Sequence, residues 1–211
     1  MTITHHLDDA TLMSFAAGAL PGALAAVAAA HASMCLRCRR ELAMLETVGG
    51  ALLADLPATP SAQFDPRRMV PAGAAQPHPF AAAGDREIPR PVAGLVSGGL
   101  DSVPWRWLGP GVWDHLLPHA GLGRLRLLRV ARGRNIPEHG HGGMELTLVL
   151  RGSFHDDTGR YRRGDVAELD ETMAHQPVAD AGGDCICLVA SEKPEHFSGL
   201  IARQWQRLRR I

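Results

Sequence analysis

Apolar residues recur at helical spacing through residues 7 to 56 of the chain. Leu12 and Phe15 begin the pattern at i, i+3, and an aspartate at position 8 or 9 precedes them as a helix cap. Glycine and proline at positions 18, 21 and 22 then separate this first helix from an alanine-rich stretch that reaches about residue 33. A third apolar pattern begins near Cys35 and ends before Pro57. The sequence therefore predicts three helices in its first quarter.

The pattern disappears between Pro57 and Pro91, where eight of the fifteen prolines of the chain fall among many alanines and glycines. Such a composition is typical of a linker. We expect it to join a helical domain, residues 1–85 including the start of the linker, to a second domain, residues 95–211. Within this linker, only residues 62–70 could form a short fourth helix.

From about Val103 onward, apolar residues alternate with a period of two, as strands require. Alternating leucines mark a strand near residues 125–130 and another over 146–150, and glycines at 152, 159, 164, 182 and 183 mark the turns. The last residues, 197–211, fit either a strand or a short helix. The prediction is an α + β chain of two domains, a small helical bundle followed by a β-sandwich or β-barrel.

Charge and composition exclude several classes of protein. The 211 residues carry 22 basic and 22 acidic side chains, which gives no electrostatic reason to expect direct nucleic-acid binding. The N-terminus does not resemble a signal peptide, and no apolar stretch is long enough to span a membrane. We therefore expect a cytoplasmic protein without a membrane partner, whose four cysteines are reduced.

The first candidate metal site combines His31-x3-Cys35-x2-Cys38 with an upstream histidine. One helical turn separates the two cysteines, so both thiolates can bind one tetrahedral ion, and mixed imidazole and thiolate ligands favour zinc. His6 is the preferred fourth ligand and His5 the second choice. The alternative is that the cysteines are small core residues and His31 is a surface residue. A zinc ion would supply much of the folding free energy of so small a helical module.

The second candidate site consists of His139, His141, Glu145 and His175. His139 and His141 are two residues apart on a predicted strand, and so point to the same face. Glycines at 142 and 143 permit a turn that brings Glu145 to the same ion, and His175 returns from a later strand. Zinc, iron, manganese and nickel all accept three imidazoles and one carboxylate. The ion would either catalyse a reaction, with open positions for oxygen and substrate, or hold the barrel for a sensory role.

Two further cysteines, Cys185 and Cys187, alternate on a predicted strand and face the same side. They are either small hydrophobic residues inside the barrel or an oxidisable pair near the metal. No cluster of spare tyrosine, lysine or arginine side chains accompanies the metal ligands, since Tyr161 and Lys193 are the only residues of their types.

Both clusters resemble known families. The spacing of glycine, histidine and glutamate between Gly133 and Gly152 is similar to the first cupin motif, and Gly164-Asp165 with His175 partly matches the second. The N-terminal cluster resembles the zinc-binding anti-sigma factors. Together they make the chain similar to ChrR-type anti-sigma factors along nearly its whole length.

This resemblance implies a double-stranded β-helix for the second domain and Zn²⁺ in both domains. It also implies a one-to-one complex with an extracytoplasmic-function (group IV) sigma factor. Singlet oxygen or organic peroxides would release that sigma factor, with the helical domain inhibiting and the cupin sensing. The alternative is a metal-dependent cupin dioxygenase or isomerase with an N-terminal zinc oligomerisation module. It predicts iron in the second site and a polar substrate pocket.

Overall fold

The N-terminal helices form as the sequence predicts. The computed structural model describes residues 2–57 and 87–194, and the backbone of residues 196–197. Its first part contains α1 (Asp9–Ala16), α2 (Gly22–Met34) and α3 (Leu36–Ala54). The carboxylate of Asp8 caps α1 by accepting a hydrogen bond from the backbone N–H of Thr11. Residues 62–70, most of the predicted linker and residues 198–211 lie outside the described residues.

The second part is a β-sandwich that follows a short helix, α4 (Arg90–Ala93), and a 3₁₀ turn (Leu100–Ser102). Its large sheet has six strands in the order β1-β2-β3-β11-β5-β8, and two three-stranded sheets, β10-β6-β7 and β12-β4-β9, lie beside it. The strands are β1 (Arg106–Gly109), β2 (Val112–Leu116), β3 (Arg124–Val130), β4 (His139–Gly140), β5 (Glu145–Arg151), β6 (Ser153–Asp156), β7 (Gly159–Arg162), β8 (Val166–Leu169), β9 (Ala174–His175), β10 (Val178–Ala179), β11 (Cys185–Ser191) and β12 (His196–Phe197). All named pairs are antiparallel.

Both faces of the six-stranded sheet are covered, which explains the composition of its central strands. Six of the seven residues of β5 are buried, and all seven of β11 are buried. Side chains at successive positions of a strand point to opposite faces of the sheet. Val149 and Cys187 therefore belong to the core inside the sandwich, and Leu148 and Leu188 belong to a second core on the outer face.

The outer core is shared with the helices. Leu24 and Val27 of α2 are completely buried in the same cluster as Leu127, Leu148 and Leu188 of the sheet. The helix begins so close to the loop before β3 that a Cβ at Gly22 would overlap the carbonyl oxygen of Ala120. The helical region and the sandwich thus bury one continuous apolar surface.

In the described part of the chain, no helix has the length and apolar character needed to cross a membrane.

Replacement of Leu24 by alanine tests the contribution of this shared core. The side chain is completely buried, so its truncation should lower the free energy of unfolding of the full chain by about 2–5 kcal/mol. Leu52 on α3 is 65% exposed, and Leu52→Ala is the matched control. It should change stability by about 0.5 kcal/mol or less. Denaturant unfolding measures both, and equal effects would contradict the packing described here.

Candidate metal centres

The four residues of the N-terminal cluster converge at one point. His31 lies in the last turn of α2, Cys35 separates α2 from α3, and Cys38 lies in the first turn of α3. The Nδ1 atom of His6 lies 3.2 Å from the sulfur of Cys35, and the Nε2 atom of His31 lies 3.3 Å from the sulfur of Cys38. A tetrahedral ion with Zn–S of ~2.3 Å and Zn–N of ~2.05 Å separates sulfur from nitrogen by about 3.6 Å.

The electrostatics of the two thiols suit a cation. A hydrogen bond from Cys38 lowers the pKa of Cys35 to about 3, and His31 acts in the same direction. The pKa of Cys38 is raised by its hydrogen bond to Cys35 and by burial. The pair therefore shares one proton, which a metal ion would displace, because metals bind the thiolate form.

His5, the second choice for the fourth ligand, points elsewhere. Its ring packs against Tyr161, with 4.3 Å between ring centroids, and its backbone N–H donates to Asp165. His6 is the histidine that joins the cluster with His31, Cys35 and Cys38.

The second cluster lies inside the sandwich, where His139, His141, Glu145 and His175 are all buried. Strands β4 and β9 pair directly at His139 and His175, whose Nε2 atoms lie 3.2 Å apart. His141 follows β4, and its Nδ1 atom lies 3.5 Å from Oε2 of Glu145, the first residue of β5. One atom from each of the four side chains lies within 4.8 Å of the other three.

The protonation states of this cluster also fit a metal site. Burial lowers the pKa of the His139 imidazole to about 4, so the ring is neutral at neutral pH. Burial alone would raise the pKa of Glu145, but His141 and Arg126 outweigh it and bring the value to about 2. Neutral imidazoles and an ionised carboxylate are the forms that coordinate a metal. The Oε2 atom of Glu145 is buried and accepts no hydrogen bond from the described residues.

A cavity of about 80 Å³ leads to this cluster from inside the sandwich. Apolar residues form most of its wall. The polar part consists of Arg126, Thr147 and residues of the metal cluster. The apolar part consists of Leu108, Val112, Leu128, Val130, Ile136, Pro137, Phe154, Pro177 and Ala179.

Cys185 and Cys187 also line this cavity, and their sulfur atoms lie 3.6 Å apart. The predicted common face is thus confirmed, and it is the inner face of the sheet. Burial and the contact with Cys185 raise the pKa of Cys187, which disfavours its thiolate form.

Sequence reasoning missed the residues that orient the histidines. Asp156 accepts a hydrogen bond from Nδ1 of His175 at 2.8 Å, and the carbonyl oxygen of Gly164 accepts one from Nδ1 of His31 at 3.0 Å. Such partners fix the orientation of a metal-binding imidazole. The sequence pattern Asp-x-Thr-Gly at Asp156 could have indicated a structured turn. The contact between Gly164 and His31 joins positions 133 residues apart, and no local sequence pattern indicates it.

The arrangement defines a class of protein. It has a helical region packed on the outer face of a cupin sandwich, and each of the two regions contains a four-residue cluster that could hold a metal ion. The family model described as the ChrR cupin-like domain matches residues 96–194. The chain is 40% identical over its full length to all of the anti-sigma-E factor ChrR of Cereibacter sphaeroides. It also matches the crystal structure of Rhodobacter sphaeroides SigE in complex with the anti-sigma factor ChrR. That match has 39% identity and a TM-score of 0.78, and covers 90% of this chain and 99% of the matched chain.

The chain therefore belongs to the ChrR family of anti-sigma factors. The cupin fold and the family resemblance predicted from the sequence are confirmed.

Metal analysis of the purified chain tests the ligand assignment. We expect two bound divalent ions per chain, because the two clusters are separate. Cys38→Ser should remove one ion, and His141→Ala should remove the other. Cys187→Ser and His155→Ala make the same chemical changes outside the clusters and should keep both ions. Loss of an ion in either control variant would count against the assignment.

Proposed function

We propose that this chain sequesters an extracytoplasmic-function sigma factor in a one-to-one cytoplasmic complex and releases it under oxidative stress. The helical region inhibits, Zn²⁺ occupies both metal sites, and the cupin senses the signal without catalysing a reaction. Membership of the ChrR family and the SigE–ChrR complex support the choice of partner.

One observation about this chain carries the proposal, the free end of α3. Every residue from Glu46 to Pro57 is exposed, so the last turns of the helix lie away from the rest of the described residues. Met44, Val48 and Leu52 recur at i, i+4, i+8 and are 58–65% exposed. They form an apolar stripe along one face of this segment. Exposed apolar surface of this kind marks a protein interaction site.

Two other apolar residues of α3, Leu42 and Leu45, do not belong to this stripe. Leu42 is buried and Leu45 is half-buried against the core, so both serve the helical packing. The stripe lies in the second half of α3, where Gly49 and Gly50 weaken the helix by about 1 kcal/mol each relative to alanine. A partner groove that covers the stripe would supply the missing packing.

Charged substitutions in the stripe test the docking surface. Val48→Glu or Leu52→Glu should weaken binding of the cognate sigma factor by at least about tenfold, because a carboxylate would be buried against apolar surface. Ala43→Glu adds the same charge on the opposite side of α3 and should leave affinity unchanged. Calorimetry with the purified full chain measures all three. Unchanged binding by both stripe variants would reject the surface.

The cavity of the cupin supports the proposed sensory role. A cupin dioxygenase or isomerase would need polar side chains to orient a substrate, whereas this wall is mostly apolar. An apolar cavity that ends at buried imidazoles and thiols admits small neutral oxidants to oxidisable groups. Oxidation there would change the inner face of the same sheet whose outer face carries α2.

Ligand and thiol variants separate the candidate triggers. His141→Ala should bind the sigma factor normally yet retain it when singlet oxygen is generated, because the metal site is disrupted far from the α3 stripe. Glu145→Ala should act in the same way but less severely, since three imidazoles remain. Transcription from a sigma-dependent promoter measures the release of the sigma factor.

Replacement of both Cys185 and Cys187 by serine completes this experiment. A normal response in the double variant would eliminate the thiols as the trigger. A normal response in His141→Ala would eliminate the metal site instead.

A further inference from the structure

A single segment of the cupin contacts both metal sites. This bridging segment, residues 156–168, begins at the end of β6, includes β7 and ends in β8. At its start, Asp156 accepts the hydrogen bond from Nδ1 of His175 at 2.8 Å. Eight residues later, the carbonyl oxygen of Gly164 accepts the equivalent hydrogen bond from Nδ1 of His31 at 3.0 Å. The Nε2 atoms of both rings face their own clusters.

The bridging segment also binds the extended N-terminal residues that precede His6. The carboxylate of Asp165 accepts hydrogen bonds from the backbone N–H groups of Thr4 and His5 at 2.7 and 3.1 Å. Gly164 adopts a positive φ of 91°, and a Cβ there would press on Ile3. Only a residue without a side chain lets the carbonyl reach His31 while the N-terminal residues pack this closely.

Direct contacts connect the two ends of the segment. The Thr158 hydroxyl donates to Asp156 at 2.5 Å and lies 2.8 Å from the hydroxyl of Tyr161. The Tyr161 ring packs on His5, the neighbour of the ligand His6. A shift of Asp156 is therefore transmitted, through Thr158 and Tyr161, to the residue next to His6.

We propose that the bridging segment couples the two metal sites, so that an ion in the cupin site strengthens metal binding at the helical site. An ion held by His175 fixes its ring, and the ring fixes Asp156 through the shared hydrogen bond. The ordered segment then presents Gly164 and Asp165 in the positions that His31 and the N-terminal residues require. Loss of the cupin ion removes this restraint and loosens the helical site. The coupling concerns metal affinity and holds whichever partner the helices bind.

A double-mutant cycle on the full chain tests the coupling. Cobalt titration reports the helical site alone, because only that site offers thiolate ligands and their cobalt absorption band. His141→Ala, with the cupin site shown to be empty by metal analysis, should weaken cobalt binding at the helical site by at least about fivefold. In the Asp165→Ala background, where the segment no longer holds residues 4 and 5, the same change should have less than half of that effect.

Two further variants make the cycle decisive. Asp170 makes the same turn contacts to Thr172 that Asp156 makes to Thr158, and within the described residues its carboxylate forms no hydrogen bond to the helices or to a ligand histidine. In the Asp170→Ala background, His141→Ala should therefore keep its full effect. If Asp165→Ala loses helix content, Tyr161→Phe takes its place and should likewise reduce the effect.

Hydrogen exchange supplies an independent readout. The amides of Thr4 and His5 should exchange faster in His141→Ala than in the unaltered chain, since their acceptor, Asp165, is less ordered. Equal cobalt affinity of the unaltered chain and His141→Ala would overturn the coupling. An effect of His141→Ala that is as large in the Asp165→Ala or Tyr161→Phe background would overturn the role of the bridging segment.

Discussion

Packing of α2 against the outer face of the six-stranded sheet is the contact on which the rest of the structure depends. The helix buries Leu24 and Val27 against strands whose opposite faces line the cupin cavity. The last turn of the same helix carries His31, a residue of the first metal cluster. One element thus belongs to the core, to a metal site and to the boundary between the two regions. Both metal clusters therefore depend on the six-stranded sheet, one through α2 on its outer face and the other through the cavity on its inner face.

The two sites differ in what surrounds them. The helical cluster lies where α2 meets α3, with His6 half-buried and the other three residues buried. The cupin cluster is enclosed, and burial keeps the His139 imidazole neutral. Mixed thiolate and imidazole ligands suit a closed structural ion, whereas three imidazoles and a carboxylate beside a cavity leave room for a further ligand. The two clusters therefore differ in how readily a further ligand could reach an ion bound in them.

The sequence predicted those parts of the molecule that depend on local spacing. His31, Cys35 and Cys38 are within two turns of a helical hairpin, and His139, His141 and Glu145 are within seven residues, so their convergence follows from short-range geometry. His175 was found because the cupin pattern places it. The helix caps and the strand alternation of β5 are likewise local.

Contacts between distant segments were beyond such reasoning. The proline-rich stretch after Pro57 suggested separate units, yet the outer face of β5 is apolar because α2 covers it. A strand buried on both faces carries little amphipathic signal, so the sequence alone does not reveal what lies on its second face. In each hydrogen bond of Gly164 and Asp165 to the N-terminal region, one of the two partners is a backbone group, which leaves no pattern in the sequence.

The shared outer core has a consequence for how such chains diversify. A chain that joined the helices of one family member to the cupin of another would place two unmatched apolar surfaces together, with Gly22 and Gly123 among the points of closest approach. Substitutions on α2 and on the outer faces of β3, β5 and β11 must therefore accumulate together. The projecting end of α3, which packs on nothing in the described part of the chain, is free to change with its partner. The surface that recognises the partner can then diverge faster than the joint between the helical region and the sandwich.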